Sequence, residues 1–242
     1  MKRLTFCMAI VLFILASGTA AVAADASVAI DLNSAYVWRG ITFNDGLVIQ
    51  PSIDVSRGGF GINVWGNFDI DDYDDTLDDK EFSEIDITLY YGFTLDPVDI
   101  SLGYVEYLFP AGGEGTREAY LNLGTPIVDG LSIGVTAYYD VDEVHGWYGN
   151  IALSYEKKIT DTLGIDVSAG AGCADKSYAE AYGGEDSGLY DYTFSLGISY
   201  ALSKGLGLRA GISYADTLDE DVLPDDLVDT NLYGGINVSY LF

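Results

Sequence analysis

Leu131, Ile133 and Val135 alternate with Ser132, Gly134 and Thr136, and this two-residue period recurs along nearly the whole chain. Successive side chains of a strand point to opposite faces, so a period of two writes a ribbon with one greasy side and one polar side. About twelve such ribbons are predicted. The first six span Ser27–Arg39, Leu47–Arg57, Phe60–Ile70, Glu84–Leu95, Val98–Phe109 and Arg117–Thr125. The remainder span Leu131–Val141, Trp147–Lys157, Leu163–Cys173, Leu189–Leu202, Leu206–Asp216 and Thr230–Phe242. Each is close to the roughly 9–11 residues with which a tilted strand crosses a bilayer.

The connections carry an independent signal. Short turns fall at Arg57-Gly58-Gly59, Asp96-Pro97, Pro126–Gly130, Ile159–Thr162 and Ser203-Lys204-Gly205. Between them lie the longer Asp71–Ser83, Pro110–Thr116, Ala174–Gly188 and Thr217–Asp229, with Ile41–Gly46 and Asp142–Gly146 as briefer members of the same set. Tight turns on one rim, loops on the other and an even strand number describe an outer-membrane barrel. The fold class predicted is all-β: a transmembrane antiparallel up-and-down β-barrel of about twelve strands.

Both ends of the chain agree. Lys2 and Arg3 precede an apolar run from Leu4 to Leu15 and then Ala21-Val22-Ala23, the layout of a secretory signal peptide. Residues 1–23 are therefore expected to leave, and residues 24–242 to form one barrel domain. Cys7 departs with the leader, so Cys173 has no internal disulfide partner. At the other end Ile236, Val238, Tyr240 and Phe242 share one face, opposite Gly235, Asn237 and Ser239. A closing strand that ends in Phe242 is expected to engage the barrel-assembly machinery.

In lipid the apolar face must be the outside. Outward rings are then expected at two levels, Tyr36, Trp38, Phe68, Tyr139, Trp147, Tyr192 and Tyr214 near the external rim. Phe60, Phe93, Tyr155, Tyr200, Tyr240 and Phe242 would ring the periplasmic one. Glu106 is the awkward residue, since it shares its face with Ile100, Leu102 and Tyr104.

The polar face lines the lumen. Asp31, Asp54, Asp86, Glu156, Asp166 and Asp191, with Arg39 and Arg209, are predicted to line a narrow or partly plugged pore. Carboxylates in such a pore bias it toward small cationic or neutral solutes. The alternative is a non-conducting barrel with a structural or partner-binding role for its acidic external loops. A formal charge of −27 excludes a nucleic-acid binder, which needs basic patches. Asp71, Asp72, Asp74, Asp75, Asp78 and Asp79 form an oxygen-rich loop that suits Ca²⁺ or Mg²⁺ bridging to lipopolysaccharide phosphates, although a solvated acidic surface has the same composition. No EF-hand spacing is present. His145, the single histidine, lies near Asp140, Asp142 and Glu143 without an accompanying nucleophile motif. Neither catalysis nor a cofactor is expected.

Asn33-Ser34-Ala35-Tyr36-Val37-Trp38-Arg39-Gly40-Ile41 and the following Asn44-Asp45-Gly46 resemble the opening of the TorF-type outer-membrane porin family. Gly61–Asn67 resembles that family's third strand, and Gly103–Pro110 its aromatic strand closed by proline. The likeness covers most of the mature chain and departs after Gly40, where Ile41-Thr42-Phe43 is more apolar than the family's polar run. It implies an outer-membrane channel and carries over Arg39 as the residue of functional interest; the alternative is that its guanidinium simply pairs with a lumen acid such as Asp31 or Asp54.

Overall fold

A computed structural model describes residues 24–73 and 80–242. The expected leader at residues 1–23 lies outside them, as do Asp74, Asp75, Asp78 and Asp79. In chain order the elements begin with β1 (Asp25–Asn33), β2 (Tyr36–Trp38), β3 (Ile41–Asn44), β4 (Val48–Arg57), β5 (Phe60–Asp69) and β6 (Phe82–Leu95). Next come β7 (Val98–Leu108), β8 (Thr116–Val128), β9 (Leu131–Asp140), β10 (Trp147–Lys158) and β11 (Leu163–Ala174). A short helix α1 (Lys176–Ala181) leads to β12 (Gly188–Ser203), β13 (Leu206–Thr217), a 3₁₀ turn at Asp225–Leu227 and β14 (Leu232–Leu241).

Among the described residues, twelve of the fourteen strands close into one antiparallel barrel, each paired with its neighbour in the chain apart from the inserted β2 and β3. β1 seals it against β14, from Ser27 opposite Leu241 to Asn33 opposite Gly235. The Phe242 amide adds a last bond to the Ala26 carbonyl at 3.0 Å. A closed ladder leaves no strand edge unpaired. One rim carries the tight turns, the start of β1 and Phe242; the other carries the long connections. They are called here the turn end and the loop end.

Polarity is inside out. Ile30, Ile53, Leu89, Val135, Val167, Phe194, Leu196, Ile212 and Ile236 point outward and are exposed. The period-two reading thus placed the apolar side correctly. Outer rings pair at both levels: Tyr139 with Trp147 at 4.7 Å near the loop end, Phe60 with Tyr91 at 4.5 Å and Tyr240 with Phe242 at 4.9 Å near the turn end. Glu106 does face outward, on a β7 that keeps register with both neighbours. Its carboxylate accepts from Arg117 Nε at 3.0 Å, and Arg117 also reaches Asp142 at 2.8 Å, so the outward charge is matched on the adjacent strand.

The first ribbon departs from expectation. It was predicted as one strand to Arg39, with Tyr36 and Trp38 outward. Instead the wall strand stops at Asn33, and Tyr36–Asn44 turn into the lumen. Ser34 ends the ladder by exchanging two bonds with Gly234, amide to carbonyl at 2.9 Å and hydroxyl from amide at 3.0 Å. β2 and β3 then form a separate two-stranded hairpin inside the barrel. Tyr36 is buried there, and Trp38 packs against the cluster beneath the loops.

Candidate functional site in the lumen

The hairpin turns on Arg39 and Gly40, whose φ values are +50° and +82°. Positive φ at both central residues is the type I′ pattern that matches strand twist. A Cβ at Gly40 would sit 2.8 Å from Leu223 and 2.9 Å from the Asp191 Cβ, so only glycine fits. The base is held by Asn44, which donates to Asp69 at 2.7 Å and accepts from the Gly46 amide at 2.6 Å. Tyr36 donates to Glu84 at 2.9 Å, and Thr42 Oγ1 accepts from the Thr230 amide at 3.0 Å.

At the tip, the Arg39 guanidinium grips both Glu118 oxygens at 2.7 and 2.6 Å and donates to the Tyr178 hydroxyl at 2.8 Å. Tyr107 adds a hydrogen bond to Glu118 at 2.7 Å. The two charged side chains are only 8% and 3% exposed. The guanidinium carbon also lies over the rings of Trp38 and Tyr138, each at 4.1 Å, and of Tyr148 at 4.4 Å. A planar, weakly hydrated cation suits such a slot, and each face contact contributes about 0.5–2 kcal/mol. Burial opposes the arginine's charge, but Tyr178 and Glu118 outweigh it and leave its pKa raised. Burial likewise pushes the Tyr182 hydroxyl up to about 12.

Glu118 belongs to β8, the fifth wall strand round from β1 in the barrel order, so the hairpin spans the lumen almost to the opposite wall. Above it an apolar cluster joins Ile41 to Tyr178, Ala179, Tyr190, Val222 and Leu223. Asp175 caps α1 by accepting from the Tyr178 amide at 2.9 Å, which fixes Tyr178 over the arginine. A ladder of amides runs beside the hairpin: Asn33 to Gln50 at 2.8 Å, Gln50 to Asn67 at 3.0 Å and Asn67 to Asp69 at 2.8 Å.

Beneath the knot lies a cavity of about 510 Å³, walled by the rings of Trp38, Tyr107, Tyr120, Tyr138 and Tyr148. Asp86 and Asp191 supply its carboxylates. Asp191 accepts from Tyr148 at 2.8 Å, whereas Asp86 Oδ1 is buried without a hydrogen-bond partner. Toward the turn end a second, wider space of about 970 Å³ is bordered by Glu156, Lys158, Asp166 and Arg209.

The expected site residues thus separate. Arg39, Asp86 and Asp191 come together around the upper cavity. Asp166 and Arg209 form a bidentate pair at 3.0 and 2.5 Å, and Asp31 and Asp54 accept from Asn237 and Tyr90, both at 2.9 Å. Neither Asp31 nor Asp54 holds Arg39. Glu118 does, a residue whose inward parity with Tyr120 and Asn122 was legible but whose partner was not. Tyr107, Tyr138, Tyr148 and Tyr178 also went unread. Of the acidic loop, Asp71 accepts from the Asp72 amide at 3.2 Å, and among the described residues no metal-holding group of three or more ligands forms. His145 is exposed; its amide, with those of Asp142 and Val144, donates to Asp140 Oδ1 and shapes the loop.

A family model described as a bacterial protein of unknown function (Gcw_chp) matches residues 17–233. No match was found among curated proteins. Among solved structures, a KdgM porin superposes with a TM-score of 0.57 at 12% identity, over 89% of this chain and 99% of that one. A NanC porin gives 0.52 at 13%, over 90% and 99%. An outer-membrane channel from Pseudomonas putida F1 gives 0.57 at 9%, over 93% and 97%. At such identities the likeness is one of fold, and these neighbours are channels rather than enzymes.

Proposed function

This chain belongs to the Gcw_chp family of bacterial proteins of unknown function, and we propose that it is an outer-membrane channel for small solutes, biased toward cations. The observation that carries the proposal is the barrel's polarity: an apolar, ring-belted outside around a hollow lined by carboxylates. Only lipid rewards such an outside. The fold shared with KdgM and NanC porins supports the same reading, as does the resemblance of residues 33–46 to TorF-type porins. Lipopolysaccharide would meet the acidic loops through bridging divalent cations. β14 with its terminal Phe242 would be what the assembly machinery reads.

Solute charge follows from the lumen. A KdgM porin has been captured with oligogalacturonate, a polyanion. Here Asp31, Asp54, Asp86, Glu156 and Asp191 face inward against Arg39 and Arg209, which are themselves paired with acids. Fixed negative charge draws cations and repels a polyanion. Planar-bilayer recording under a KCl gradient tests this directly. The reversal potential is expected to lie toward that of K⁺; a value toward Cl⁻ refutes the charge bias. The hairpin tied across the lumen favours one second reading, a closed barrel whose loops do the work. Refolded protein that inserts yet carries no current would establish that alternative.

A further inference from the structure

We infer that the cavity under Arg39 is a binding site for a small organic cation, a guanidinium or primary ammonium compound on its way through the channel. The inference deepens the channel reading and rests on it for the word "through", but the site itself is argued from three independent features. Its walls are five aromatic rings, and three side chains of this same cage, Trp38, Tyr138 and Tyr148, already hold a guanidinium within 4.4 Å. That guanidinium is the chain's own Arg39, and its seat illustrates the attraction that the quadrupole of each remaining ring face offers a second cation.

Its charge is also unbalanced. Arg39 lines the cavity, yet both of its forks close on Glu118, so that pair presents little net charge downward. Asp86 and Asp191 remain, with no other basic side chain on the wall. Finally, Asp86 Oδ1 is a buried carboxylate oxygen without a donor. An acceptor withdrawn from water and left unmatched costs free energy that an incoming N–H group recovers. The space of about 510 Å³ admits a short diamine or guanidino-amine, with Thr88, Thr136 and Thr193 available for its remaining donors. Gly172 leaves room for the Asp191–Tyr148 hydrogen bond on that wall, because a Cβ there would strike both partners.

The test is calorimetric titration of the detergent-refolded protein with agmatine, with butylurea as an uncharged mimic of similar shape. Saturable binding of agmatine and none of butylurea is expected. Asp86→Asn should weaken agmatine binding about tenfold or more, the effect of losing one close charge partner in a partly desolvated site. Glu220→Gln, which removes one negative charge from an exposed external loop, should leave it unchanged. Thr88→Lys, which plants an ammonium on the wall beside Asp86, should abolish it, and this second variant decides the matter if Asp86→Asn does not refold. No binding, equal binding of butylurea, or equal losses in Asp86→Asn and Glu220→Gln overturns the site. The measurement needs no current, so binding without conductance would sink the channel and spare the site, while conductance without binding would do the reverse.

Discussion

Arg39 carries two costs at once. Its φ of +50° lies where side chains crowd the backbone, and its charge is withdrawn from water. The two-pronged pair with Glu118 and the ring slot offset both. Pulling one member from a buried pair strands the other, at about 3–5 kcal/mol. Arg39→Ala is therefore expected to lower the urea midpoint of the refolded barrel substantially. Replacing both members with leucine should recover part of the loss, since no charge is then stranded, although the Tyr107 and Tyr178 hydroxyls lose their partners. Equal midpoints for the single variant and the parent would show that the knot contributes no stability. Asp86 poses the opposite case: an oxygen without a donor is a place where stability has been left ungained.

The inserted hairpin is the unit to remove. Replacing Tyr36–Asn44 by a short Gly-Ser link leaves β1 and β4 paired along Asp25–Asn33 and takes away the bar across the lumen. The single-channel step is expected to grow severalfold, because a pore of this size is filled by its side chains before its wall. An unchanged step would place the constriction elsewhere. This element also marks where the sequence ceases to be readable. β5 and β9 were found to within a residue, because Ile62 and Val64 or Ile133 and Val135 differ so plainly from Asn63 or Ser132 and Gly134. Along Ile30, Leu32, Tyr36 and Trp38 the same parity continues, and alternation cannot tell a ring that meets lipid from one that meets a plug. Arg39-Gly40 between two short alternating triplets was the available sign of a two-residue hairpin. The arginine's partners were beyond any local pattern, since Glu118 and Tyr178 stand 79 and 139 residues away.

At the scale of the whole molecule, the fold was legible because a closed sheet repeats one rule twelve times, and a single misread ribbon does not break it. With carboxylates on its surface and in its lumen, a chain of formal charge −27 is expected to repel polyanions, nucleic acid among them. The two mouths, however, are unlike. One is stoppered by Arg39, Tyr178 and the apolar cluster; the other opens on a roomy chamber bordered by Glu156 and the Asp166–Arg209 pair. A charged conduit with its narrowest point displaced toward one face is expected to rectify. Currents through barrels inserted in a single orientation should differ in size when the voltage is reversed in symmetrical salt, and a straight current–voltage line would mean that the stopper does not govern the flow.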